Sequence, residues 1–252
     1  MRRPTQEDVR VLTQYHACFG ERLIPLGKGT YGKTFLNEKK EFVLKFARDI
    51  ENFSSFLLEA KVMMSFVEYA SGFQRLVGLY PQKLCLVTMY AGRTLDWFIP
   101  SYRLKPEHRY SAMTQVCKVA MALHRNGIAH NDIKPQNVCV EVTASGPQVT
   151  FIDFGLARRV GTAPRMLLKW NERLPYAPEI CGADKYGLCG PESDTYSVGK
   201  LLRQLFSSKL LPQLLSNWYV KSKSRRPSDR STLTTLVQYL EQQRIADLRT
   251  QY

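Results

Sequence analysis

Residues 130–155 constrain this chain more than any other stretch. They begin His130-Asn131-Asp132-Ile133-Lys134-Pro135-Gln136-Asn137 and close on Asp153-Phe154-Gly155. Between these runs, Val138-Cys139-Val140 and Val149-Thr150-Phe151-Ile152 alternate as strands do. Ala144-Ser145-Gly146-Pro147 supplies the turn that joins them. Two carboxylates and one carboxamide are thereby set at fixed spacing around a β-turn-β unit. The bland alternative is a buried polar turn with no chemistry, and the length of the double motif weighs against it.

H-x-D-x-K-P-x-N followed by D-F-G resembles the eukaryotic-type protein kinases. The resemblance implies phosphoryl transfer. Asp132 would orient the acceptor hydroxyl and take its proton late. Asn137 and Asp153 would hold Mg²⁺. Lys134 is the residue that serine/threonine kinases use to steady the γ-phosphate. Tyrosine kinases generally lack it, and small-molecule phosphotransferases usually lack the Lys-Pro pair. One departure is Asn131, where the family usually has Arg.

Composition narrows the class without naming it. The 252 residues are 44% apolar, so disorder is not the default reading. A net charge of +14 favours acidic partners, phosphorylated surfaces or nucleic acid, or simply solubility. No RRM-like or helix-turn-helix pattern supports sequence-specific nucleic-acid binding. The cysteines at 18, 85, 117, 139, 181 and 189 form no C-x-x-C pair. Several sit in apolar runs, as reduced core thiols do, which points to the cytosol or nucleus. Met1-Arg2-Arg3-Pro4 opens no apolar leader. No apolar run approaches the roughly 20 residues of a membrane span.

Taken in order, residues 5–17 read as a short helical lead. Strands are expected at 22–26 and 33–36, around Gly27-Lys28-Gly29-Thr30-Tyr31-Gly32. Glycines between two strands, and not before a helix, fit the kinase hairpin that covers the phosphates. Thr34 stands where the family usually has Val as a lid on the adenine. It makes a smaller and more polar lid. Phe42-Val43-Leu44-Lys45-Phe46 is a third strand. A lysine inside it is expensive to bury unless paired. By resemblance Lys45 contacts the α/β-phosphates, and Val43 replaces an Ala beside the adenine. A helix is predicted over 51–69, with Phe56, Leu57, Ala60, Met63, Met64 and Val67 as its apolar face. Glu59 beside that face is the candidate partner of Lys45. Strands at 73–80 and 83–90 flank Pro81-Gln82. By resemblance Thr88 is the gatekeeper, Met89-Tyr90-Ala91 is the hinge, and Cys139 belongs with the nucleotide-binding residues.

Beyond Gly92, Thr94 is placed to cap a short helix, and Pro106 starts a helix over 106–126. Residues 156–176 resemble an activation segment. A phosphate carried there would find Asn131, which cannot pair with it ionically. The segment offers Thr162 and Tyr176 as hydroxyls, and it is basic at Arg158, Arg159, Arg165, Lys169 and Arg173. An acidic or already phosphorylated substrate would suit that surface, and a solvated loop is the plain alternative. Glu179 of Ala177-Pro178-Glu179 resembles the family glutamate that pairs with a distant Arg, matched here to Arg226. Asp194 resembles the residue that anchors the catalytic loop; its plain reading is a simple N-cap, and the two roles are compatible. Helices are expected at 196–206, 210–219 and 231–247, with a family insertion missing between the first two. Lys221-Ser222-Lys223-Ser224-Arg225 reads as a basic loop rather than a targeting signal.

The resulting expectation is an α+β, two-lobe, protein-kinase-like fold, shortened after residue 206. It comprises one kinase domain over 1–252, with an antiparallel N-lobe sheet and one helix at about 18–91 and a mainly helical C-lobe at about 92–252. The resemblance implies an ATP- and Mg²⁺-dependent serine/threonine transferase acting on protein substrates, without need for activation-loop phosphorylation. The alternatives are a pseudokinase scaffold, drawn from Thr34, Val43, Asn131 and the short C-lobe, and a small-molecule phosphotransferase.

Overall fold

Alternating side chains and tied-down turns build the first sheet. The computed structural model describes residues 22–29, 31–69, 71–100, 104–164, 168–182, 187–206 and 211–249. The expected lead at 5–17, Cys18, Thr30 and Arg165 lie outside the described residues. The chain divides into one unit ending at Ala91 and another beginning at Gly92.

The first unit holds β1 (Leu23–Lys28), β2 (Gly32–Asn37), β3 (Phe42–Ala47), β4 (Leu76–Tyr80) and β5 (Cys85–Met89). They pair antiparallel in the order β1-β2-β3-β5-β4. Asn37 fixes the turn into β3, its Oδ1 accepting the N–H of Glu41 at 2.8 Å and of Phe42 at 2.7 Å. On one face of β3, Leu44 packs with Val77, Tyr80, Cys85 and Val87. The next residue, Lys45, is turned to the other face by the two-residue period of the strand. Helix α1 (Ile50–Met64) is capped by Asp49, whose carboxylate accepts from Asn52 N–H at 2.8 Å. Periodicity predicts this helix through residue 69, yet it stops at Met64. Ser65 Oγ turns back onto Val62 O at 2.7 Å, and Phe66 leaves the helix to stack on Phe73, with ring centroids 4.3 Å apart. Leu57, Met64 and Val67, expected on the apolar face, are exposed. The predicted strand at 73–80 starts only at Leu76, and its register shifts before Gly78.

In the second unit β6 (Arg93–Thr94), β8 (Val138–Thr143) and β9 (Gly146–Phe151) form one small sheet, and β7 (Ile128–Ala129) pairs with β10 (Arg158–Arg159). The β8–β9 turn is Ala144-Ser145 alone. Gly146 and Pro147 already belong to β9, and the positive φ sits at Gly146. Thr94 does precede the short helix α2 (Leu95–Phe98), but its hydroxyl goes to the Asp96 carboxylate and not to a backbone N–H. Helix α3 (Pro106–Arg125) starts on Pro106 and buries Met113, Val116, Cys117, Ala120 and Leu123 completely. Burial of each large one stabilises by on the order of 1.5–3 kcal/mol. Against α3 lie α4 (Pro191–Leu205) and α6 (Leu233–Arg249), and α5 (Gln213–Ser222) packs on those two. α4 begins before the predicted 196 because Pro191 sits at its first position. α4 and α5 approach closely at Gly199, where an added Cβ would lie 2.1 Å from Ser222 Oγ.

The expected Glu179–Arg226 pair does not form. Arg226 is exposed and precedes a 3-10 turn at Pro227–Asp229. That turn carries Arg230 inward instead. Its guanidinium grips Glu179 with two bonds, Nη1 to Oε1 at 2.6 Å and Nη2 to Oε2 at 2.9 Å. Further donors go to the carbonyls of Glu192 and Ser224, at 2.9 Å each, and of Arg225 at 3.5 Å, while Ser193 Oγ donates to Glu179 at 3.1 Å. Breaking one side of so buried a pair strands the other charge. Arg230→Ala is therefore expected to destabilise the protein by about 3–5 kcal/mol, and Arg226→Ala by under about 0.5 kcal/mol, in chemical denaturation.

Candidate active site

The second unit carries the catalytic-loop motif, and the motif hangs from Asp194. This residue lies inside α4 and is completely buried, so it is not the N-cap; Gly190 is. Its Oδ2 accepts from His130 N–H and its Oδ1 from Asn131 N–H, both at 2.8 Å. His124 Nε2 also meets Oδ2 at 2.8 Å. Burial alone would raise its pKa, but His124 and the loop donors outweigh burial and hold the carboxyl below the usual carboxylate range. The loop is stiffened further by His130, whose ring packs on Phe151 and Phe154 with centroids 5.4 and 5.2 Å away.

Anchored this way, the chain passes through Asn131 with φ 62°, a left-handed turn that Asn tolerates better than most residues. Asn131 Nδ2 donates to Leu156 O at 3.1 Å, tying the catalytic loop to the residue after Gly155. Asp132 is then set in place, buried to 6% exposure. Its Oδ2 accepts from Asn137 Nδ2 at 2.7 Å and from Lys134 Nζ at 2.9 Å. Oδ1 also lies 2.9 Å from Lys134 Nζ, but it has no hydrogen bond and remains a buried acceptor. Burial, helped by the charge of Asp153, pushes the Asp132 pKa above the ordinary carboxylate value, with Lys134 opposing. For Lys134 burial works downward, but the Asp132 carboxylate prevails and holds the ammonium above the ordinary lysine value.

Asp153 stands at φ 61°, a second left-handed residue of the site. Such backbone is retained where its surroundings over-determine it. Asn137 has its Nδ2 committed to Asp132, which leaves Oδ1 as the side chain's acceptor. Among the described residues no three His, Cys, Asp or Glu side chains gather to hold a metal ion. A hard cation held by Asn137 and Asp153 would therefore need phosphate oxygens and water for the rest of its shell, as Mg²⁺ commonly does. The donor set fits that ion and not zinc.

One neighbour was not assigned to this site from the sequence. Tyr176 Oη lies 3.5 Å from Lys134 Nζ, and Asp132 adds to the burial that raises its pKa. Its place directly before Ala177-Pro178-Glu179 was the available signal.

The first unit, taken by itself, holds a paired cation and an open turn. Lys45 Nζ meets Glu59 Oε1 at 2.5 Å, with Glu59 at 2% exposure. Thr34 and Leu86 are the cross-strand neighbours of Lys45, and Val43 lies buried between Leu36 and Thr88. Between β1 and β2, Lys28 pairs with Lys33, and Gly29 N–H bonds Gly32 O at 2.9 Å. The glycines of this turn, which includes half-buried Tyr31, differ in purpose. A Cβ on Gly32 would lie 1.8 Å from Phe46 O, so sheet packing requires Gly32. A Cβ on Gly27 or Gly29 would meet nothing within 4 Å, so that backbone is open to a ligand. Thr88 is buried and accepts from Gln74 Nε2 at 2.8 Å. Past β5, Met89 N–H goes to Arg75 O and Tyr90 N–H to Glu41 O, while the N–H of Ala91 bonds nothing among the described residues. Cys139 is buried on β8 of the second unit, opposite Thr94 and Thr150.

The chain matches the family model described as protein kinase domain over residues 21–238. It is 25% identical over 196 residues to the serine/threonine-protein kinase TIO of Arabidopsis thaliana, a match covering 72% of this chain and 14% of that protein. The carbon catabolite-derepressing protein kinase of Secale cereale is 25% identical over 196 residues, covering 71% and 38%. Myosin light chain kinase 3 of Rattus norvegicus is 41% identical over 96 residues, covering 37% and 11%. The chain thus spans less than half the length of each of these relatives. A family model that takes in most of the chain, on a fold with the five-stranded sheet and helical second unit described above, means that this chain belongs to the eukaryotic-type protein kinase superfamily.

Proposed function

We propose that the chain transfers the γ-phosphate of ATP, with Mg²⁺, to serine or threonine hydroxyls of protein substrates. The observation that carries this reading is the asymmetry of Asp132. One oxygen is fixed by Lys134 and Asn137, and the other is a buried acceptor without a hydrogen bond. A substrate hydroxyl satisfies that oxygen. Asp132 then orients the hydroxyl for attack and accepts its proton as the bond to phosphorus forms. Lys134 holds Asp132 in register and adds positive charge beside the transferring group. Glu59 keeps Lys45 extended for the α/β-phosphates. Gly27 and Gly29 let the phosphates come close to the backbone without side chains in the way, and Ala91 N–H is a donor for the adenine edge. Asn137 and Asp153 would hold Mg²⁺, which neutralises charge on the phosphates. Most of the acceleration in such a site is positioning and electrostatics.

Activity does not depend on phosphorylation of the segment after Gly155. Asn131 occupies the place of a phosphate-binding Arg and bonds Leu156 directly. Further along, β10 pairs with β7, Gly161 N–H bonds Cys189 O at 2.9 Å, and Cys189 N–H bonds Thr162 O at 2.8 Å. These bonds order 158–162 without a modification. An acidic or phosphorylated substrate suits the exposed Arg159, Lys169 and Arg173. Arg158 is a correction to the expected basic surface, since Nη1 is turned to Ala157 O at 2.6 Å. The five described cysteines are buried and form no disulfide with one another, which suits a reducing compartment such as cytosol or nucleus.

Mg-dependent ADP release on a protein substrate tests the reading. Phosphate-free wild type and Thr162→Ala are expected to release ADP alike, while Asp132→Asn and Lys45→Met fall by roughly 10²–10⁴-fold. Wild-type release no greater than that of the two variants would favour a binding scaffold instead. Release that needs a phosphate on Thr162 would remove the activation claim.

The pH dependence follows from Asp132. The working form is the carboxylate, so activity falls as acid protonates it. Burial places that acid limb above the range of an exposed aspartate. Lys134 is the charge that opposes the rise. Lys134→Met is expected to move the acid limb of kcat/KM to higher pH while lowering kcat at neutral pH. An acid limb that stays put or moves lower contradicts this assignment of Asp132.

A further inference from the structure

Two cations from outside the activation segment, Lys200 and Arg225, meet its turn at Trp170–Glu172, and a third, Lys223, stands near enough to Lys200 to act on it by charge. Lys200, half-buried on α4, donates from Nζ to Glu172 O. Arg225, exposed beyond α5, sets its guanidinium 5.4 Å over the Trp170 ring. Lys223 stands two residues before Arg225, its ammonium 4.6 Å over Tyr219. Among the described residues none of the three has a carboxylate within 4 Å. The crowding is felt. Burial, and then the charge of Lys223, lowers the pKa of Lys200, with Glu172 working the other way. Like charges gathered with no close counter-ion cost free energy, and an arriving anion removes that cost.

The patch is tied to the catalytic loop by one short segment. Trp170 Nε1 donates to Tyr176 O at 3.1 Å, and Tyr176 Oη lies 3.5 Å from Lys134 Nζ, beside Asp132. Trp170 and Tyr176 both pack against the buried cluster of Ala129, Ala177, Ile180, Cys189 and Tyr196.

We propose that Lys200, Lys223 and Arg225 bind an anionic side chain of the acceptor protein, flanking the hydroxyl presented to Asp132. This rests on the protein kinase reading above. The shared ligand chemistry is a peptide carboxylate or phosphoserine, with Arg225 able to offer a two-donor fork to either. A peptide is favoured over nucleic acid because the Trp170 ring is already engaged, by Arg225 over its face and by the cluster it packs against, and its N–H is bonded to Tyr176 O, so it is not a free base-stacking platform. Three clustered cations also suit one anionic side chain better than a phosphate backbone, which calls for a stripe.

The test is fluorescence anisotropy with the full chain carrying Asp132→Asn. Three serine peptides differ at one flanking position, which is Ala, Glu or phosphoserine. The Glu or phosphoserine peptide is expected to bind at least about tenfold more tightly than the Ala peptide. The tighter of the two identifies the source of the charge. Combined Lys200→Gln, Lys223→Gln and Arg225→Gln abolish the preference. Lys118→Gln with Arg125→Gln, which removes exposed cations of α3, leaves it intact. Arg225→Gln alone, at an exposed site, weakens it by about threefold or more, and this arm stands if the triple variant does not fold. Equal binding of all three peptides overturns the proposal, as does a preference kept by the triple variant or by Arg225→Gln. An oligonucleotide that binds more tightly than the phosphopeptide also overturns it. Binding is read on an inactive variant, so failure of wild-type phosphate transfer is a separate result and counts against the kinase reading alone.

Discussion

A single buried carboxylate holds the catalytic loop in shape. Asp194 accepts two consecutive backbone N–H groups, those of His130 and Asn131, and a third bond from His124. Consecutive N–H groups point the same way only when the backbone bends sharply, here through the left-handed φ of Asn131. That bend costs energy, and the charge-assisted bonds to Asp194 offset it. The direction of its pKa shift agrees. Burial works against the ionised form, and the bonds still win. A group whose carboxyl is held low contributes stability above the ordinary aspartate range and loses it as pH falls through the folded value. The anchor is therefore intact throughout the neutral range.

What the anchor positions is a deliberately incomplete set of bonds. Lys134 and Asn137 bond one oxygen of Asp132, and the other is left buried beside the Lys134 ammonium without a hydrogen bond. A buried acceptor without a hydrogen bond is costly to leave unmade. Lys45 and Glu59 in the first unit follow the opposite logic. There each buried charge meets its partner, and the lysine is held in one orientation. Asn131 takes a neutral hydrogen bond to Leu156 at the position where the family usually has Arg.

Much of this was legible in the sequence because its signals are local. Alternation located β2, β3 and β5, and a lysine in the middle of β3 announced that a buried acid must answer it. Pro106 fixed the start of α3. Errors came where tertiary contacts overruled local pattern. Ser65 and the Phe66–Phe73 stack cut α1 short of the apolar period that ran on to residue 69. The partner of Glu179 was misread because Arg225-Arg226-Pro227 looks like the familiar motif, while the 3-10 turn that follows carries Arg230 inward. Tyr176 and Lys200 reach their places through packing of the segment around Trp170, which no periodicity encodes. Gly32 read as a phosphate-loop glycine, yet its nearest constraint is the carbonyl of Phe46.

The most direct test of the account is amide hydrogen exchange at His130 and Asn131 in Asp194→Asn, with the amides in the middle of α3 as reference. The substitution keeps the shape and one oxygen but removes the charge and turns an NH₂ toward a donor. Protection at His130 and Asn131 is predicted to fall by about tenfold or more while α3 keeps its own, and ADP release is predicted to fall with it. Unchanged protection at both amides, or lost protection with activity intact, would contradict the claim that Asp194 holds the catalytic loop in its working shape.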